Sequence, residues 1–245
     1  MVSKKPAALR PKVVCLMETS VDGKIIGDRW PDPDAADREY ERVHELHRAD
    51  AWLCGRVVMA YFARTQRRTT AAAAISPPVR EKADFIAPGK ARSYAVAVDA
   101  GGKLRWRANN VNGDRLIVLL SRRASLHHLT HLQSKRISYL IVGQHGIDFA
   151  AALAKLRKHF GIKLLMLEGG GRINASLFHA GLIDELSLLL APVADGDSAT
   201  TSLFETDSNG RSLRARGLRL LKVVRRPHGV LWLRYRVLNG EQKGP

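Results

Sequence analysis

From Leu164 to Ala191 the chain reads LLMLEGGGRINASLFHAGLIDELSLLLA: an apolar run, a glycine turn, a short helical pattern and a second apolar run. Two buried strands joined by one short helix lie parallel in a sheet, with the helix crossing over in the right-handed sense. The segment before it repeats the scheme. ISYLIV (137–142) reads as a strand, Asp148 as the N-cap of the helix FAAALAKLRKHF, and Gly161 as its stop. Phe149, Ala152, Leu153, Leu156 and Phe160 recur along that helix at helical spacing. KLLMLE (163–168) is then a strand, INASLFHA a short helix closed by Gly181, and ELSLLLA (185–191) another strand. This half of the chain predicts an α/β fold on a largely parallel sheet.

The first half follows the same alternation less regularly. KVVCLM (12–17) reads as a strand, and Asp22-Gly23 as a turn into KIIG. ADREYERVHELHRA (36–49) predicts a helix with Tyr40, Val43 and Leu46 on its apolar stripe. AWLC (51–54) is a short strand, followed by Gly55 and a weaker helical segment through Phe62. Residues 64–92 form a long basic excursion with some helix, after which YAVAV (94–98) and RLIVLL (115–120) resume the strands. At the end, LRLLKVV (218–224) and VLWLRYRVL (230–238) flank Pro227-His228-Gly229 and predict an antiparallel hairpin. Its inner face is expected to carry Leu231, Leu233, Tyr235 and Val237, and its wetter face Trp232, Arg234 and Arg236. The expected organisation is a disordered basic tail at 1–11, a single domain at 12–238 and a flexible tail at 239–245.

Composition narrows the function. No window approaches the roughly 18 uninterrupted apolar residues of a membrane span, and the basic N-terminus has no apolar core of a secretory signal. Cys15 and Cys54 both lie in apolar runs and read as free buried thiols of a cytoplasmic protein. The net charge of +17 fits either nucleic-acid binding or the attraction of a phosphorylated small molecule. The positive residues are scattered over 64–68, 103–107 and 211–226 with no nucleic-acid-binding motif, which favours the second. His127, His128 and His131 have no accompanying carboxylate or cysteine, so they predict an exposed polar helix face and no metal site. Asp184 and Glu185 read as surface charge at a turn.

At the C-terminal end of a parallel strand, the next helix presents unpaired amides and the positive end of its dipole to anions. Gly169, Gly170 and Gly171 would let a phosphate approach that backbone closely, or would serve a tight corner chosen for packing alone. The two readings remain equal on these grounds, since the run is not GxGxxG and no acid is clearly placed about 20 residues on. Glu168 cannot serve the same anion. It suits a neutral ligand rich in donors, and as an acid ending an apolar run it should have a partner.

The run EGGGRINASLFHAGLIDELSLLLAPVADG resembles the C-terminal signature of the reductase domain of riboflavin biosynthesis, which has a dihydrofolate-reductase-like fold. SVDGKIIG (20–27) is similar to that family's opening motif, ADAWLCGR (49–56) to its second strand and turn, and VGQHGIDF (142–149) to a later piece. The resemblance covers most of 12–238 and implies a mixed, mostly parallel sheet with flanking helices and the C-terminal hairpin. It implies an NADPH-dependent reductase that converts the ribosyl group of an aminopyrimidine phosphate, such as 5-amino-6-(5-phosphoribosylamino)uracil, to a ribityl chain. The cofactor diphosphate would lie on Gly169, Gly170, Gly171, Arg172, Ile173 and Asn174, with Gly55 and Arg56 nearby and Trp30 close to the cofactor. Glu168 would touch substrate, while Asp22 and Lys24 would face the reacting cleft and orient a proton. Taken without the resemblance, Asp22 is turn chemistry, Lys24 a solvated lysine and Trp30 a packing residue.

The resemblance also implies a homodimer, with the C-terminal hairpin suited to a two-fold interface. Two departures stand out. Val58 and Phe62 occupy places where the family commonly has a threonine and an aspartate, and the deaminase half is absent, leaving reduction alone. The alternatives are a basic nucleic-acid-associated protein on the same fold, and a degenerate reductase that binds without turnover.

Overall fold

A computed structural model describes residues 9–25, 30–66, 78–205 and 215–239. Residues 1–8 and 240–245 of the tails expected at 1–11 and 239–245, the end of KIIG and much of the basic excursion lie outside the described residues. The strands are β1 (Lys12–Thr19), β2 (Ala51–Gly55), β3 (Tyr94–Val98), β4 (Asn110–Val111), β5 (Asp114–Leu120), β6 (Ser138–Ile141), β7 (Leu164–Leu167), β8 (Glu185–Leu190), β9 (Leu218–Arg225) and β10 (Leu231–Val237). The helices are α1 (Pro33–His47), α2 (Arg56–Thr65), α3 (Leu126–Ser134), α4 (Phe149–Phe160) and α5 (Gly171–His179). Local chemistry sets several ends as expected: the Asp148 side chain accepts from the Ala151 amide at 2.9 Å, and Gly161 ends α4 at φ +70°.

The strands form one sheet in the order β4-β5-β3-β2-β7-β1-β8-β10-β9, with β6 also against β5. From β5 through β8 the pairings along this path are parallel, and β10 and β9 add an antiparallel edge. The crossover from β1 to β2 passes over β7, and the crossover from β7 to β8 passes over β1. Right-handed connections running in opposite directions put their helices on opposite faces. Accordingly, Val43 of α1, Met59 of α2 and Leu129 of α3 pack in one core layer, and Leu153 of α4 and Leu177 of α5 in the other. In β1, Val14 and Leu16 face the α1 layer, whereas Val13, Cys15 and Met17 face the α4–α5 layer.

Four sequence expectations are corrected, three of them by partners distant in the chain. Leu46 of α1 is 59% exposed; the helix turns Glu39, Tyr40 and Val43 inward, and Glu39 is buried because Arg42 and Arg226 both pair with it. Trp232 is buried, because its indole nitrogen donates to Ser187 Oγ at 2.8 Å. Glu185 is also buried, between Lys12 at 2.7 Å and Arg234 at 2.5 Å, and Asp184 holds Arg10 at 2.7 Å. That last pair fixes Arg10, which the sequence assigns to the tail. His128 lies inside, not on an exposed face, and burial pushes its pKa down to about 4, so the ring is neutral at pH 7. Among the described residues no cluster of His, Cys, Asp and Glu suits a metal. Cys15 and Cys54 are free and buried.

Candidate active site

The C-terminal ends of β2, β7 and β1 share one edge of the sheet, where successive connections leave in opposite directions, the place where open α/β sheets bind ligands. Two helices start at this edge. α2 follows β2 with Gly55 as N-cap, and α5 follows β7 with Gly170 as N-cap. Neither cap residue has a side-chain hydrogen bond, and neither first turn carries an acid. The Ile173 and Asn174 amides return to the Gly170 carbonyl at 3.0 and 3.1 Å, whereas the Gly170 and Gly171 amides donate to no group among the described residues.

The glycines divide between the two roles. A Cβ on Gly55 would stand 2.7 Å from Ile173 Cδ1, and one on Gly169 would stand 3.1 Å from Ile173 Cγ2. A Cβ on Gly171 would collide with the Ser202 carbonyl oxygen. These three are glycine because the ends of β2 and β7 and the following loop close tightly on one another. Gly170 alone looks into open space. Its neighbourhood of uncapped amides, with exposed Arg56 and Arg172 at the two helix starts, fits a dinucleotide diphosphate. Asn174 is fully buried and donates to the Leu203 carbonyl at 3.1 Å, so it supports the loop beside the turn.

Loop 20–25 is stitched to loop 193–205 through Lys24 and Ser202, forming a rim beside the glycine turn. Asp22 lies at the joint. Its carboxylate accepts from Ser20 Oγ at 2.6 Å and from the Asp195 and Gly196 amides at 2.9 Å each. These donors hold its pKa well below the usual carboxylate range. Asp22 thus latches the two loops to one another. Lys24 Nζ donates to the Thr200 carbonyl at 3.0 Å, on the same rim. Trp30 is buried, and its indole nitrogen has no partner among the described residues.

Glu168 ends β7 on the α1 side of the sheet. His44 Nδ1 lies 2.5 Å from its Oε1, and Cys54 Sγ donates to its backbone carbonyl at 3.0 Å. The hydrogen bond to Glu168 raises the His44 pKa above its ordinary value, with burial opposing, which favours the protonated ring beside the carboxylate. Burial and the Glu168 charge push the Tyr40 hydroxyl well up, which keeps it neutral. His44 was missed in the sequence, although it falls one helical turn from Tyr40 on the stripe that faces the sheet. Glu18 was missed as well. It shares the face of Val14 and Leu16, its Oε1 is buried without a partner among the described residues, and burial followed by Asp37 pushes its pKa up to about 7. An acid inside the apolar run KVVCLMET was the available signal. At the places of the expected threonine and aspartate, Val58 is exposed and Phe62 packs edge-on against Trp52, with ring centroids 5.8 Å apart.

Comparison with known proteins bears on this geometry. The RibD C-terminal domain model matches residues 11–231. The 2,5-diamino-6-ribosylamino-4(3H)-pyrimidinone 5′-phosphate reductase of Methanothermobacter thermautotrophicus is 28% identical over 215 residues, 86% of this chain and 91% of that protein. The reductase of the same name from Aquifex aeolicus is 29% identical over 201 residues, 79% of this chain and 82% of its own length. Among solved structures, a pyrimidine reductase-like protein from Corynebacterium diphtheriae superposes with a TM-score of 0.68 at 17% identity, covering 94% of this chain and 93% of that one.

Proposed function

This chain belongs to the RibD C-terminal domain family, and from that premise we propose that it is a riboflavin-pathway reductase of a ribosylaminopyrimidine 5′-phosphate. The observation that carries this reading is one edge of the sheet, shared by an uncapped, glycine-lined helix start and by Glu168, which His44 engages. A bound nicotinamide dinucleotide supplies the hydride. The α5 and α2 termini hold its diphosphate, and Glu168 accepts hydrogen bonds from the pyrimidine, held as an anion by His44. The named relatives act on the 2,5-diamino ring, in place of the uracil expected from the sequence. A ring with an added amino donor suits the acid-lined edge better, so the diamino compound is the preferred substrate.

NADPH is preferred over NADH. The additional phosphate is drawn by the net charge of +17 and by Arg56, Arg122 and Arg123, which lie at the same edge of the sheet. That charge does not favour nucleic acid, because it is scattered over 64–68, 103–107 and 211–226 with no nucleic-acid-binding motif. The outermost strand β9 exposes Leu218, Leu220, Leu221 and Val223, and a second copy covering it would give the homodimer. Buried free thiols accord with a cytoplasmic setting, and no helix among the described residues is long and apolar enough to cross a membrane.

Incubation with NADPH and the diamino ribosylaminopyrimidine phosphate tests the reading by following dinucleotide oxidation and the product mass. A ribityl product two hydrogens heavier supports it. Tight NADPH binding with no product from either pyrimidine would instead identify the degenerate reductase that Val58 and Phe62 suggest.

A further inference from the structure

A ribosylamine accepts hydride at C1′ only after its sugar ring opens. The exocyclic nitrogen lone pair forms a C1′=N bond as the C1′–O4′ bond breaks, and O4′ takes up one proton. That proton needs a donor at this edge of the sheet. Resting on the substrate class proposed above, we propose that Glu18 is the general acid that protonates O4′ and opens the ring. Its carboxyl becomes carboxylate in that step, and solvent reprotonates it after the reductase has reduced the C1′=N bond. Each turnover thus consumes one proton beside the hydride.

The geometry singles out Glu18 among the described carboxyl groups at this edge. Cys15 pairs with Leu167, so Leu16 lies level with Glu168, and Glu18 stands roughly 7 Å further along the strand on the same face. Its neighbour across the sheet on β8 is Leu189, which offers hydrocarbon only. From α1 it meets Asp37, with Tyr40 and His44 deeper on the same helix. His44 is committed to Glu168, Lys24 to the Thr200 carbonyl, and Asp22 is fixed as an anion by three donors. Glu18 has a fully buried oxygen with no hydrogen-bond partner among the described residues. A titration near about 7, driven by burial and then by Asp37, leaves it with a proton to give at neutral pH.

The test compares the wild-type chain with Glu18→Gln and Glu18→Asp. Glu18→Gln keeps the shape of the side chain, and unchanged NADPH affinity will confirm an intact site. With the diamino substrate it is expected to lose kcat by about 100-fold or more and to lose the fall in rate that the wild type shows above neutral pH. Glu18→Asp is expected to retain part of kcat and to keep that pH limb. Independently of activity, carboxyl NMR of the cofactor-free chain should show one glutamate titrating near about 7, absent from Glu18→Gln. A Glu18→Gln enzyme with wild-type kcat and pH profile, or a Glu18 that titrates with ordinary carboxylates, overturns the acid while leaving the reductase reading intact. A wild-type chain that reduces no ribosylaminopyrimidine overturns both.

Discussion

Glu168 and Glu18 stand a short distance apart on one face, and their surroundings differ. Glu168 meets a histidine, whereas Glu18 meets a leucine and an aspartate. For His44 the folded pKa is raised above its unfolded value, so its stabilisation is complete below the unfolded pKa and is lost as pH rises through the folded one. His44→Gln should therefore lower stability by about 2 kcal/mol near pH 6, less than a fully buried pair because His44 is 29% exposed. That deficit should shrink toward about pH 9, as thermal melts of both proteins across the range will show. The glycines make a separate prediction. Gly171→Ala drives a methyl against the Ser202 backbone and should cost about 1–3 kcal/mol in urea unfolding. Gly55→Ala meets only the movable tip of Ile173 and should cost less. Equal costs would show that the loop at Ser202 yields as easily as a side chain.

Among the elements, α1 makes the site. It carries His44 and Asp37 over this edge of the sheet and is fastened at Glu39 to Arg226, which precedes the hairpin turn, 187 residues away in sequence. Burial opposes ionisation of Glu39, yet the two arginines outweigh it and lower its pKa. Glu39→Ala leaves Arg226 without its partner and should cost about 3 kcal/mol. By contrast, Leu46→Ser should change stability by less than about 0.5 kcal/mol, and chemical denaturation of both variants checks the contrast. This helix also shows where sequence reading stops. Asp148, Gly161 and Gly181 mark helix ends by bonds or backbone angles local to the chain, so α4 and α5 were legible in advance. The inward face of α1 was not, because Arg226 decides that Glu39 goes inside. Trp232 was misplaced for the same reason, its partner Ser187 lying 45 residues away.

At the scale of the whole molecule, the parallel sheet and its antiparallel edge followed from alternating strands and helices, and the glycine turn fell at its expected strand end. The residues around the turn were only partly legible. His44 and Glu18 gather beside Glu168 because the chain leaves β1 and β7 in opposite directions, a consequence of strand order that no local motif carries. The same order sets two uncapped helix starts side by side, and the proposed reductase needs their grip on a dinucleotide diphosphate. Gly170 isolates that grip, since its φ of −67° suits alanine and open space surrounds it. The decisive measurement is calorimetric titration of NADPH into the wild type and Gly170→Ala, with melting temperatures taken alongside. Saturable binding by the wild type, weakened at least about tenfold in a variant of unchanged melting temperature, is the predicted result, equivalent to about 1.4 kcal/mol. Failure of the wild type to bind, or equal binding by the two proteins, would contradict it.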